Sequence, residues 1–135
     1  MYHFEKLDTP QKVFDYVVKK VYEQGCKSGT AGLCQYKDSQ GNKCALGHLI
    51  PSNLYRKELE NMILGKKFLS KIKSERFKGF IVANYELLLR LQAAHDGAWS
   101  IEFRSSFLQR ANSVAYDFIL QPYKPTKFYK DILND

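Results

Sequence analysis

The segment from Thr9 to Gly25 constrains the fold more than any other part of the sequence. Thr9 is a favourable N-cap, Pro10 suits the first helical position, and Gly25 favours a helix end. Between these signals apolar residues recur at steps of three and four, as on one face of a helix: Val13, Phe14, Val17, Val18, Val21 and Tyr22. The segment therefore predicts an amphipathic helix whose apolar face is buried against the rest of the chain.

A β-hairpin is predicted directly after this helix, at about residues 33–46. Two short apolar-rich segments, LCQY and KCAL, flank the turn-forming stretch KDSQGN. Two strands alone are only marginally stable in water, so the hairpin must lie against the helices. At its exit we expect Gly47 to turn the backbone, His48 to point inward near His95, and Pro51 to release the chain.

Helical periodicity returns after the hairpin. It predicts a short helix over 54–63, another over the basic stretch 66–78, a long helix from Phe80 to His95, and a last helix that begins at Ser100. The predicted fold class is mainly α (α+β), with four to five helices packed around one small hairpin. Residues 1–120 form a single domain, and 121–135 form a C-terminal tail with one helical turn after Thr126.

Composition narrows the class of protein. Hydrophobic residues make up 44% of the 135-residue chain, enough for one core without disulfides. No apolar run approaches the roughly 20 residues of a membrane span, and the first residues lack the pattern of a secretory signal. Three cysteines, an odd number, do not indicate a disulfide framework. We expect a cytoplasmic protein with no membrane partner.

Most of the net charge of +7 lies in one stretch. Residues 61–80 carry six basic side chains and one acidic one, which is the usual electrostatic pattern of a surface that binds a polyanion. A Lys-rich surface that is merely solvated is the alternative. The predicted contact residues for nucleic acid or an acidic protein are Lys66, Lys67, Lys71, Lys73, Arg76 and Lys78, with Arg56 and Lys57 nearby.

The cysteines and histidines allow two other kinds of site. Cys34, Cys44, His48 and His95 could supply the four ligands of a zinc site, although their spacing is irregular. Cys44 or Cys34, with His95 as base and Asp96 to orient it, could form a catalytic site, as could Cys44 with His48. Without paired ligand spacing or a known catalytic motif, we expect no cofactor and no enzyme activity. Buried structural cysteines remain the alternative.

Several separated motifs resemble a family of small proteins from tailed phages and bacteria. The shared pattern comprises Cys34, Tyr36, Gly41, Lys43, Cys44, Ala45, Gly47, Leu49, Ile50, Pro51, Tyr55, Glu60, Leu91, Gln92, His95, Asp96 and Trp99. The family often has a small residue where this chain has His48, which disfavours a ligand or base at that position. The resemblance implies a phage or prophage origin and no particular chemistry.

Taken together, these features predict a small, phage-encoded, non-enzymatic interaction protein. It would bind a host or viral macromolecule through the basic stretch and could inhibit a host defence system or enzyme. The oligomeric state is left open. The alternatives are a Cys/His-dependent enzyme that uses Cys44, His95 and Asp96, and a zinc-stabilised binding module.

Overall fold

The computed structural model describes residues 2–29 and 34–125. Within these ranges the chain forms five α-helices: α1 (Pro10–Gln24), α2 (Lys66–Ser70), α3 (Glu75–Ala83), α4 (Tyr85–Gly97) and α5 (Phe103–Asp117). Short 3-10 turns occur at His3–Lys6, Leu46–His48 and Lys57–Leu59. Helices α1, α4 and α5 pack against one another around the core. The prediction of a mainly helical fold is confirmed.

Helix α1 has the bounds and the buried face that its sequence predicts. The Thr9 hydroxyl accepts a hydrogen bond from the backbone N–H of Lys12, and Gly25 ends the helix with a φ of 77°. The end is also held from α5, because the Arg104 guanidinium donates to the carbonyl oxygens of Tyr22 and Glu23 at 2.9 and 3.2 Å. These contacts satisfy carbonyl groups that a helix end leaves unpaired.

The predicted β-hairpin is wrong. The described residues contain no strand, and the two halves of the expected hairpin meet only in one isolated antiparallel bridge between Lys37 and Lys43. Gly41 occupies the turn between them with a φ of 84°. Beyond Cys44 the chain enters the 3-10 turn Leu46–His48 instead of continuing as a strand.

Side chains form hydrogen bonds with backbone N–H and carbonyl groups that would otherwise pair between two strands. The Glu60 carboxylate accepts the N–H groups of Tyr36 and Lys37 at 2.9 and 3.2 Å. The Gln24 side chain bonds both the N–H and the carbonyl oxygen of Lys43, each at 2.9 Å. Asp38 accepts three further N–H groups, from Gly29, Gln40 and Asn42. Because these backbone groups already have hydrogen-bond partners, pairing the two arms as β-strands would add few hydrogen bonds.

The segment predicted as a helix over 54–63 contains only the 3-10 turn Lys57–Leu59. Asn61 has a φ of 66°, which no α-helix accommodates. The apolar side chain of Leu59 is nevertheless fully buried. The periodicity that put Leu59 and Ile63 on one side of a helix is right for Leu59 but wrong for Ile63, which is 88% exposed.

The following helices break at other places than predicted. Between α2 and α3 the chain leaves the helix at Lys71, and the Ser74 hydroxyl caps α3 by accepting the N–H of Phe77. The predicted helix from Phe80 to His95 is divided at Asn84, so that α3 ends and α4 begins there. Helix α5 begins after Glu102 rather than at Ser100.

The first residues of the predicted tail fold back onto the helices. The N–H of Gln121 donates to the Gln11 side chain at 2.7 Å, and the N–H of Tyr123 donates to the Asn112 side chain at 2.9 Å. The helical turn predicted after Thr126 lies outside the described residues. Among those described, no helix has both the length and the apolar character needed to cross a membrane.

Candidate functional site

Cys34, His95 and Asp96 lie together at the C-terminal end of α4. Their potential ligand atoms are all within 4.8 Å of one another, and no other group of three or more such side chains occurs within 2–29 and 34–125. The imidazole of His95 is fully buried, whereas Cys34 and Asp96 are exposed. The prediction allowed either Cys44 or Cys34 beside His95 and Asp96, and the structure places Cys34 there.

The hydrogen bonds of His95 define its protonation. Its Nε2 accepts the backbone N–H of Ser28 at 3.3 Å, and its Nδ1 lies 2.9 Å from Oδ1 of Asp96. This pattern assigns the proton to Nδ1, which donates it to the carboxylate. The Gln92 amide also donates to Asp96 at 2.9 Å. Burial raises the pKa of Asp96, but these donors outweigh burial and hold it below its usual range.

This arrangement does not activate the Cys34 thiol. Burial, with the neighbouring Asp96 carboxylate, raises the pKa of Cys34 to about 11. A catalytic cysteine needs a free base beside it or a cation that stabilises the thiolate. Here the carboxylate is the group beside the sulfur, and both imidazole nitrogens already have partners. The cluster is suited to holding the chain together rather than to nucleophilic catalysis.

Alkylation can measure this lack of activation. At pH 8 a thiol of pKa about 11 has about 100-fold less thiolate than one at 9.0. We therefore expect iodoacetamide to modify native Cys34 at least tenfold more slowly than the same cysteine in urea, as followed by peptide mass spectrometry. A native rate equal to the rate in urea would contradict the raised pKa, and a faster native rate would indicate an activated nucleophile.

Cys44 and His48 do not complete a zinc site. Cys44 is 1% exposed, and its sulfur accepts the N–H of Gly47 at 3.4 Å. Burial raises its pKa to about 12. His48 is half-buried on another wall of the fold, next to His3 and Tyr16. The predicted four-ligand set is therefore wrong, since only Cys34 and His95 of its members come together in the described chain.

A cleft of about 420 Å³ opens beside the cluster formed by Cys34, His95 and Asp96. Its polar lining includes Cys34, Gln92 and Asp96, and its apolar lining includes side chains from the segment before α2 and from α4, among them Met62, Leu64, Leu88 and Leu89. The sequence analysis missed this cleft. No local signal could have shown it, because its walls come from segments that are distant along the chain.

The basic stretch 66–78 occupies α2, the turn after it and the start of α3. Lys66, Lys67, Lys71 and Lys73 are all exposed, and within the described residues none of the four forms an ion pair. In contrast, Arg76 lies 3.4 Å from Glu5 and Lys78 lies 3.2 Å from Glu75. Arg56 is paired with Glu58 at 3.4 Å, and Lys57 is exposed.

The apolar residues between these lysines face the core. Phe68 and Phe77 are fully buried and Ile72 is 2% exposed. Neither ring is available for stacking on a base. The segment also lacks the two longer helices and tight turn of a helix-turn-helix, because 54–63 does not form the first of them. The basic stretch therefore offers positive charge but no side chains placed to recognise a nucleotide sequence.

The residues that carry the family resemblance mostly build the loop that precedes α2. Tyr36 donates its hydroxyl to the carbonyl oxygen of Met62, and Tyr55 donates to Glu60 at 2.6 Å. The carbonyl oxygen of Pro51 accepts two N–H groups in the turn that follows. Trp99 is 68% exposed, and its backbone N–H donates to the Ser106 hydroxyl.

Compared with known protein families, with curated proteins and with solved structures, the chain matches none. The resemblance to the phage and bacterial family therefore stays a prediction. Arguments about function must rest on the charges, the cavities and the hydrogen bonds of this chain.

Proposed function

We propose that the protein is a non-enzymatic binding protein that holds nucleic acid through Lys66, Lys67, Lys71 and Lys73. We call these four residues the lysine surface. The observation that carries the proposal is their combination of exposure with the absence of carboxylate partners in the described chain. An acidic protein is the competing partner, and the predicted phage origin makes either one a host or viral molecule.

Electrostatics favours a partner with closely spaced negative charges. Each lysine is a flexible point charge that can contact a phosphate without a fixed geometry. A contact of this kind releases counterions from the nucleic acid and gives affinity that depends strongly on salt. Arg76 and Lys78 contribute less, because Glu5 and Glu75 already offset part of their charge.

The buried aromatic rings limit the kind of recognition. Phe68 and Phe77 belong to the core, so bases cannot stack on them. Contacts from the lysine surface are then made to phosphates, which position a partner but do not specify a sequence. We propose binding that is indifferent to sequence, in keeping with a protein that covers or sequesters its target.

Duplex DNA binding, followed by fluorescence anisotropy, tests the proposal. If four lysines each neutralise one phosphate, the logarithm of the association constant should fall with the logarithm of salt concentration at a slope of about −3.6. Between 50 and 200 mM salt this slope corresponds to a loss of affinity of about 150-fold. Replacing all four residues of the lysine surface with glutamine should remove most of the binding and of the slope.

The matched control replaces four other exposed lysines with glutamine: Lys12, Lys19, Lys37 and Lys124. Both variants lower the net charge by the same amount, so a general charge effect would weaken them equally. Equal loss in the two variants, or wild-type binding by the lysine-surface variant, would refute the proposal. Binding of the wild-type protein to acidic polypeptides but not to DNA or RNA would refute it in favour of the competing partner.

A further inference from the structure

A second cavity, of about 190 Å³, lies between α1, the 3-10 turn His3–Lys6 and the chain around His48. The groups in its walls that can donate a hydrogen bond belong to His3, Tyr16, Lys43, His48 and Ser52. No acidic side chain lines it. We call this cavity the His48 pocket. It shares none of the residues of the lysine surface.

The neighbouring groups that shift the pKa of His48 are two lysines and another histidine. Burial is the largest influence on its imidazole and lowers its pKa to about 4, and Lys43, His95 and Lys20 lower it further. No carboxylate is among the groups that shift it. Of these three, only Lys43 lines the cavity; His95 belongs to α4 and Lys20 to α1. The pocket is thus a place of positive potential without an internal counter-charge.

His48 also carries an unsatisfied polar atom. Its Nε2 is buried and has no hydrogen-bond partner in the described chain. A buried nitrogen without a partner is unfavourable, so the hydrogen bonds of the described chain do not explain the position of this imidazole. Its neighbours Leu46, Leu49 and Ile50 are buried apolar residues, and packing explains their positions. Packing alone does not explain why a polar imidazole lies among them.

We propose that the His48 pocket binds a phosphate group, with the Lys43 ammonium as its cationic partner and the His48 ring as a hydrogen-bond donor that gains a charge at lower pH. A tetrahedral oxyanion offers several acceptor oxygens in different directions, which suits donors on separate walls. The His3 ring, which packs against Tyr16 with 4.4 Å between centroids and an interplanar angle of 32°, forms one side. The phosphate can be a free ion or the terminal group of a larger molecule, since both present the same chemistry.

The physical consequence is a coupling between phosphate and the proton on His48. In the free protein the imidazole stays neutral at pH 7, because burial and its basic neighbours oppose a further positive charge. A bound phosphate anion, which is the monoanion in the pH range where His48 titrates, opposes that balance and favours the imidazolium. Phosphate binding must therefore raise the pKa of His48, and by linkage the affinity for the monoanion must increase as the pH falls towards that pKa.

The pKa of His48 can be followed by NMR titration of the imidazole signals, assigned with the His48→Gln variant. Inorganic phosphate is compared with chloride at constant ionic strength. We expect phosphate to raise the pKa of His48 by about one unit or more, which is a tenfold or larger preference for the protonated form. An unchanged His48 pKa with every phosphate compound tested would overturn the proposal.

Lys43→Gln should abolish the rise, whereas Lys37→Gln should retain it. Lys37 is the bridge partner of Lys43 but lies outside the pocket, so it controls for net charge. Equal loss in both variants would show a diffuse charge effect and refute the site. A 5′-phosphorylated and an unphosphorylated dinucleotide distinguish the sources, because only the first should act if the phosphate is carried by a larger molecule.

The two proposals fail independently. The glutamine variant of the lysine surface should keep the phosphate response of His48, because none of its four lysines lines the pocket. Conversely, Lys43→Gln should leave the steep salt dependence of duplex binding in place. Loss of the His48 response in the lysine-surface variant would contradict a separate pocket.

Discussion

Replacing Gly47 with alanine is expected to lower the free energy of unfolding by on the order of 3–5 kcal/mol. A β-carbon at this position would lie 1.9 Å from the carbonyl oxygen of Tyr36 and 2.9 Å from its carbonyl carbon. Those atoms belong to the backbone, so no rotation of a side chain can relieve the clash. Urea denaturation followed by circular dichroism would measure the loss.

Gly79 provides the matched control. It lies within α3, and an added β-carbon meets nothing within 4 Å. Gly79→Ala should therefore raise the free energy of unfolding, by about 0.5–1 kcal/mol, since alanine costs less conformational entropy in a helix than glycine. If Gly47→Ala were as stable as the wild-type protein, the close approach of the two chain segments would be wrong.

Glu60→Ala is expected to destabilise the protein by about 2–4 kcal/mol, because it leaves three hydrogen-bond donors without their acceptor. These are the N–H groups of Tyr36 and Lys37 and the hydroxyl of Tyr55, the last at 2.6 Å. Hydrogen bonds to a carboxylate are stronger than those between neutral groups. The free energy of unfolding, again from urea denaturation, is the measurement.

Glu58, two residues away, controls for the loss of a negative charge. Within the described residues it forms one ion pair, exposed and with Arg56 at 3.4 Å, and such pairs contribute between about 0 and 1 kcal/mol. Glu58→Ala should therefore change stability little. Similar effects of the two substitutions would mean that Glu60 does not hold the loop. Glu60→Gln, which keeps one acceptor oxygen, should fall between Glu60→Ala and the wild-type protein.

The sequence predicted α1 well because the signals for that helix are local. Thr9, Pro10 and Gly25 act within a few residues of the positions they determine, and the buried valines follow a simple period. Similar reasoning was right for the buried side chains of Leu59, Phe68 and Phe77 but wrong for Ile63 and Ile101, which are 88% and 82% exposed. What it did not locate are the breaks at Lys71 and Asn84.

The hairpin was predicted wrongly because the decisive contacts are not local. Turn-forming residues around Gly41 do make a turn, and the chain does double back. Whether the two arms become strands depends on which groups reach their backbone N–H and carbonyl groups. Glu60 and Gln24 do so from outside the segment, and no periodicity within 33–46 could indicate that.

The candidate site was predicted in part. His95 and Asp96 are adjacent in the sequence, so their association followed directly. Choosing between Cys34 and Cys44 required knowing which thiol reaches the end of α4. The two cysteines are ten positions apart, and the sequence alone does not show which of them does so. The His48 pocket was out of reach for the same reason, although the inward position of His48 was anticipated from its apolar neighbours.

Carboxylates rather than a ladder of backbone pairs hold residues 36–43 in place, and this makes the segment responsive to acid. Burial raises the pKa of Asp38, but hydrogen bonds from the backbone of Gly29, Asn42 and Gln40 outweigh burial and hold it below 3.8. Such a group stabilises the folded state above its unfolded pKa, and the stabilisation is lost as the pH falls through the folded pKa. Protonation of these carboxylate oxygens therefore weakens their hydrogen bonds to the backbone N–H groups. Backbone carbonyl oxygens, which are the acceptors between paired strands, are not protonated in this way.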